Sequence, residues 1–230
     1  MDRVDKIGDK PAPHPAKFSD PILEVIAPHV KGCLNILDPF AGVGKVALLK
    51  QHGFTGSVTC NELEEEWTRQ AWVYGADEVI VGDALLLGGR MPASFDAIVT
   101  SPVYGNRMSD HHDARDNSKR ITYRHKLGRK LTRGNSGMLQ WGPKYRAFHL
   151  RAWRSILECL KPGGVFVLNC SNHIRKGEVQ DVTQWHVLIL QAMDLVVEDW
   201  VKVDTKRMRF GENHQSRVGY ESVVVFRKGS

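Results

Sequence analysis

The sequence predicts an α/β fold, a mostly parallel sheet with helices on both faces. Three observations predict it. Short apolar runs of strand length alternate with helical segments along most of the chain. Those runs suit strands buried on both sides. Asp38, Glu62, Asp83 and Ser101 each stand where such a run ends, and in open parallel sheets ligands sit outside the carboxyl ends of the strands.

Residues 1–17, with prolines at 11, 13 and 15, read as an extended arm. Ser19-Asp20-Pro21 opens a first helix, because Ser19 or Asp20 can cap it and proline is favoured in a first turn. Ile22, Leu23, Val25 and Ile26 form its inward face. Leu34 to Leu37 is a strand ending at Asp38, and Lys45 to Gln51 is a helix that Gly53 terminates. A second strand from Ser57 to Cys60 ends at Asn61-Glu62, and a helix from Glu64 to Tyr74 closes at Gly75. Glu78 to Val81 is the third strand, ending at Gly82-Asp83, and Phe95 to Thr100 is the fourth. A long helix from Tyr145 to Leu160 precedes Lys161-Pro162-Gly163-Gly164 and a fifth strand from Val165 to Asn169. A helix from Asp181 to Met193 and two strands, Leu195–Val203 and Glu221–Arg227, complete the series.

The 230 residues suit one domain spanning 1–230, and 42% hydrophobic with 25% charged residues is ordinary globular composition. Charge is unevenly placed. Between Gly105 and Arg146 eleven Lys and Arg oppose three Asp, an excess of +8 against +6 for the whole chain. This basic stretch, 105–144, has little apolar periodicity and reads as an insertion after the fourth strand, long enough to be functional. The four cysteines, Cys33, Cys60, Cys159 and Cys170, form no CxxC pair and read as reduced and structural. No segment resembles a signal peptide or a membrane span, so a cytoplasmic protein without a membrane partner is expected.

Asp38-Pro39-Phe40-Ala41-Gly42-Val43-Gly44 is a glycine turn with an acid before it, unlike the GxGxxG dinucleotide fingerprint. Glycine admits a ligand close to the backbone, and the carboxylate favours a cation over a pyrophosphate. A ligand carrying ammonium, sulfonium and adenosine fits best, which is S-adenosylmethionine. Glu62 stands where an acid bonds ribose hydroxyls, and Asp83, followed by Ala84, is placed to accept from the adenine amino group. Lys45 after Gly44 does not make a phosphate loop, because the GxxxxGK[ST] spacing is missing.

With these residues in view, the chain resembles the amino-methylating DNA methyltransferases, which modify adenine N6 or cytosine N4. Phe18-Ser19-Asp20-Pro21 looks like the family's segment that holds the methionine end, Asp38 to Gly44 like its DPFxGxG cofactor motif, and Glu62 and Asp83 like its ribose and adenine acids. Ser101-Pro102-Val103-Tyr104 looks like its (D/N/S)PP(Y/F) catalytic motif, with valine in place of the second proline. The resemblance implies a Rossmann-like class I methyltransferase fold of seven strands with an antiparallel last strand. It implies that Ser101 and the Pro102 carbonyl accept the N–H bonds of a flipped base's amine, and that Tyr104 stacks on that base. Initial serine leans toward cytosine N4. Cytosine C5 chemistry is disfavoured, since no cysteine follows a proline. An RNA or protein-amide methyltransferase and a non-catalytic nucleic-acid-binding relative remain open alternatives.

Arg107, Arg115, Lys119, Arg120, Arg124, Lys126, Arg129 and Lys130 lie just past the catalytic turn and are expected to contact DNA phosphates, with RNA as an alternative partner. Tyr123 and Trp141 add aromatic surface, and a second basic loop runs from Lys206 to Arg217. His111-His112-Asp113 lacks any further ligand spacing, so no metal is expected. Trp67, Trp72 and Trp153 read as core or core edge.

Overall fold

A computed structural model describes residues 14, 18–105, 122–205 and 218–229. Its sheet is built from β1 (Asn35–Asp38), β2 (Ser57–Glu62), β3 (Glu78–Val81), β4 (Phe95–Thr100), β5 (Leu160–Cys170), β8 (Leu195–Asp204) and β9 (Tyr220–Lys228). A hairpin of β6 (His173–Arg175) and β7 (Glu178–Gln180), which the sequence did not announce, stands apart as a second sheet. The seven strands lie in the order β3-β2-β1-β4-β5-β9-β8. All pairings from β3 to β5 are parallel, and β9 runs antiparallel to both its neighbours. The strand order reverses between β1 and β4, and that switch point opens a crevice at their carboxyl ends.

The period-two geometry of a strand divides the core. Ile36, Val58, Ala97, Val99, Val165 and Val167 pack beneath α1 (Asp20–Val30) and a 3-10 helix (Lys45–His52), joined by Ala71 of α2 (Glu65–Val73). Leu37, Ile98, Phe166, Leu168, Val224 and Phe226 point to the opposite face. There they meet Leu87 of α3 (Leu87–Arg90), α5 (Pro143–Cys159) and α6 (Val182–Gln191). Trp153 on α5 is fully buried, as expected, and so is nearly all of Trp67, whereas Trp72 is exposed.

The expected start and end of β3 and β4 coincide with the observed ones. The Lys161–Gly164 segment belongs to β5 itself, where the β4–β5 register shifts between Phe95 and Ala97 and Gly163 takes a positive φ of 69°. Ser19 does precede α1, but its hydroxyl makes no capping bond; its carbonyl accepts the N–H groups of Ile22 and Leu23.

The carboxyl part of the basic insertion is not an open loop. α4 (Tyr123–Leu127) and a 3-10 turn (Ser136–Met138) belong to a segment that packs on the start of α2. Tyr123 and Leu131 are buried against Val43 and Trp67. Their partners Val43 and Trp67 lie far away in sequence, and two buried side chains make no periodicity to read, which is why the insertion looked irregular.

Candidate active site

A cleft of about 800 Å³, counting space open to solvent, lies at the switch point. Pro39, Phe40, Ala41, Glu62, Asp83 and Ala84 form one wall, Phe18 and Ser101 another, and Gly134, Asn135 and Ser136 of the insertion the rim. The structure thus brings together most of the cofactor residues expected from sequence. Ser19 and Asp20 do not line it, and Asp38, Gly42 and Gly44 shape it from behind.

The glycine turn has a steric cause. Gly44 has φ +76°, and a Cβ there would fall 2.3 Å from Ala71 Cβ and 2.6 Å from Ala71 Cα. Only glycine lets the turn pass so close to α2. Asp38 is 1% exposed. Its Oδ1 accepts from Thr100 Oγ1 at 2.8 Å and from the Phe40 N–H at 3.1 Å, which fixes the end of β1 against β4 just before Ser101. Glu62 accepts the backbone N–H groups of Gly42, Leu63 and Glu64 at 2.9, 2.8 and 3.0 Å. Burial pushes both carboxyls up to about 7, against the pull of these hydrogen bonds.

Two polar atoms of residues lining the cleft are orphaned. Asn61 Nδ2 donates to Pro39 O and Gly82 O, tying the ends of β1 and β3, while Asn61 Oδ1 and Trp67 Nε1 are buried without a protein partner. Buried polar atoms are rarely left so, and both residues line the cleft. The sequence had flagged neither as a ligand residue, although Asn61 directly precedes Glu62.

The turn that follows β4 is tied to α5 and, through it, to α6. Tyr145 Oη donates to Val103 O at 2.6 Å and lies 2.8 Å from His186 Nε2, while Trp153 Nε1 donates to His186 Nδ1 at 3.0 Å. Nδ1 must therefore be the acceptor, so the imidazole is neutral with its proton on Nε2. Burial holds His186 well below the usual histidine range.

Ser101 Oγ lies 2.9 Å from Tyr104 Oη, and Tyr104 Oη donates to Glu221 Oε2 at 3.0 Å. Asn169 Nδ2 donates to Glu221 at 2.9 Å and approaches Tyr104 Oη at 3.2 Å and Ser101 Oγ at 3.4 Å. Tyr104 is placed differently from the stacking position expected of it. Three polar partners hold its hydroxyl behind Ser101, its ring packs against the α5 side of the core, and it is absent from the cleft wall. Val103, which replaces the second proline, lines the cleft instead. Burial, foremost, and the Glu221 carboxylate raise the Tyr104 phenol well above its ordinary value, so it keeps its proton. Pro102 is buried.

Seven strands in this order with one antiparallel strand have counterparts among solved structures. N-methyltransferase NodS from Bradyrhizobium japonicum superposes with a TM-score of 0.56 at 14% identity, over 90% of this chain and 93% of that one. A SAM-dependent methyltransferase from Methanosarcina mazei gives 0.56 at 15% identity, over 89% and 97%. The complex of NodS with S-adenosyl-L-homocysteine gives 0.52 at 12% identity, over 90% and 86%. This is the class I methyltransferase fold. No protein-family model matches the chain, and no curated protein matches it.

On this class I fold the basic residues divide. Arg107, Arg115, Lys119 and Arg120 lie outside the described residues, as do His111-His112-Asp113 and Lys206–Arg217. Arg124 and Lys130 are exposed and Lys126 is half-buried. Arg129 is placed differently from the phosphate contact expected of it. Its guanidinium forks onto Glu66 at 2.7 and 2.6 Å and reaches Glu64 Oε2 at 2.8 Å. Glu64, fully buried, also accepts Thr132 N, Thr132 Oγ1 and Asn135 Nδ2 at 2.7, 2.9 and 2.7 Å. One carboxylate at the start of α2 thereby holds the part of the insertion that forms the cleft rim. Among the described residues no cluster suits a metal ion, and no helix is long and apolar enough to cross a membrane.

Proposed function

We propose that the protein transfers a methyl group from S-adenosylmethionine to an exocyclic amino group of a DNA base, cytosine N4 or adenine N6. The observation that carries this reading is the position of Ser101. It lines the same cleft as Glu62 and Asp83, at the end of β4 beside the switch point, and the segment of +8 charge begins four residues later.

The cleft's residues fit the cofactor. Glu62 would hold ribose hydroxyls once ionised, Asp83 the adenine amino group, and the glycine turn with Phe18 the methionine end. The Trp67 N–H and the Asn61 amide oxygen offer a donor and an acceptor that the protein leaves unused. Bound there, S-adenosylmethionine supplies an electrophilic methyl on a sulfonium. An exocyclic amine is a weak nucleophile because its lone pair is delocalised into the ring. Ser101 Oγ and the Pro102 carbonyl accept its N–H bonds and localise that pair, and holding nitrogen in line with the methyl contributes much of the rate. The Tyr145–His186–Trp153 chain keeps the turn's backbone in place during this. Extruding the base costs a few kcal/mol, offset by phosphate contacts from exposed cations such as Arg124 and Lys130.

The test is incubation with methyl-labelled S-adenosylmethionine and separate DNA, RNA and protein pools. Label enters DNA under this reading, and label confined to RNA or protein refutes it.

A further inference from the structure

The cluster behind Ser101 has a direction. Glu221 is a carboxylate and can only accept, so the single proton of Tyr104 points to it across 3.0 Å. With that proton committed, Tyr104 Oη can only accept from Ser101, 2.9 Å away. The Ser101 hydroxyl then presents only lone pairs to the cleft. Asn169 settles the arrangement. Its Nδ2 faces Glu221 Oε2 at 2.9 Å, and the flipped amide would set oxygen against oxygen. The cost of this orientation is visible in Asn169 Oδ1, which is buried without a partner.

We propose that Ser101, Tyr104 and Glu221 form a one-way hydrogen-bond chain that carries the proton released by the substrate amine away from the cleft, with Asn169 as the residue that aligns it. This rests on the reading of Ser101 as the amine's acceptor. Methylation leaves the nitrogen with one bond too many. Its N–H bond breaks as a proton passes to Ser101 Oγ; the Ser101 proton moves to Tyr104 Oη, and the Tyr104 proton to Glu221. One N–H bond is lost and one O–H bond is gained at Glu221, which becomes a neutral carboxylic acid. Glu221 is half-buried, so it returns the proton to solvent. The same polarity that makes Ser101 an acceptor for the amine makes the chain ready to conduct. Tyr104 thus has a role in this chain that needs no stacking on the base. Glu221 lies 117 residues from Tyr104, on a strand that carries no motif.

Two measurements test it. On a DNA duplex with labelled S-adenosylmethionine, Glu221→Gln lowers kcat roughly 100-fold, a typical share for a proton-transfer group, with the cofactor Kd unchanged. Tyr104→Phe lowers it similarly, the double variant loses no more than either single one, and Glu221→Asp recovers part of the rate. Multiplicative losses, or an unaltered kcat in Glu221→Gln, overturn the chain. A neutron structure of the deuterated wild-type protein reads the polarity without any substrate. Deuterons on Ser101 directed at Tyr104, and on Tyr104 directed at Glu221, support the chain; the reverse order overturns it. If the wild type methylates no DNA, the proposed function fails, and the neutron map still decides the chain.

Discussion

Glu64→Gln isolates the tie between the insertion and the cleft. The substitution keeps the shape and one oxygen, so the bonds from Thr132 N and Asn135 Nδ2 to Oε1 survive. At Oε2 an amide N–H₂ then faces the Arg129 guanidinium, now donor against donor at a site 2.8 Å away. Thr132 Oγ1 can turn to accept, so the main loss is one charge-assisted bond of about 1.5–3 kcal/mol. The Arg129–Glu66 fork persists, but exposed pairs contribute only about 0–1 kcal/mol. Undocking of residues 129–138 therefore becomes easier by about 2 kcal/mol, which is roughly a 30-fold change. The assay is hydrogen exchange at the Thr132 amide under native conditions. Its protection should fall about 30-fold, while amides in β4 and β5 keep theirs. Cofactor affinity should fall in parallel, because Gly134, Asn135 and Ser136 line the cleft. Unchanged Thr132 protection would refute the claim that Glu64 holds the rim.

Gly44→Ala places a methyl 2.3 Å from Ala71 Cβ at φ +76°; it should cost about 1–3 kcal/mol or more in a thermal melt and abolish cofactor binding by calorimetry. Asp38 and Glu62 sit near 7, above their ordinary 3.8 and 4.5, so the native state holds protons that the unfolded chain has released. The ligand-free protein should lose stability as pH rises from about 4 to 7. Cofactor affinity, which needs the ionised Glu62, should rise about tenfold from pH 6 to pH 8, and Glu62→Gln should flatten that rise. Tyr145→Phe removes the donor to Val103 O and the partner of His186; leaving those buried groups unpaired should cost about 1–3 kcal/mol in denaturant unfolding and lower kcat more than cofactor affinity. DNA affinity should weaken with salt at a log–log slope of about −0.9 per neutralised phosphate, and a flat salt dependence speaks against the basic insertion as the contact.

What the sequence revealed and what it hid divide along one physical line. The strands, their ends and the acids on them are local features, so Asp38, Glu62, Asp83 and Ser101 could be placed at strand ends before any fold was seen. The glycine turn was legible, but Gly44 read as room for a ligand, whereas what it admits is Ala71 of α2. What stayed hidden depends on partners distant in sequence: Glu64 with Thr132, Val103 with Tyr145, and Tyr104 with Glu221 are 68, 42 and 117 residues apart. No period or spacing encodes such pairs. Tyr104 shows the consequence. The tetrapeptide suggested a stacking ring, and only Glu221 and Asn169 reveal that its hydroxyl is held behind Ser101. Arg129 likewise belonged to a basic run in the sequence and to two acids in the fold.

The most direct test of the central claim is mass spectrometry of nucleosides from DNA incubated with the protein and methyl-labelled S-adenosylmethionine. The account predicts labelled N4-methylcytosine or N6-methyladenine, lost in Ser101→Ala while the cofactor still binds. Label in C5-methylcytosine, in RNA alone, or in no nucleoside at all would contradict it.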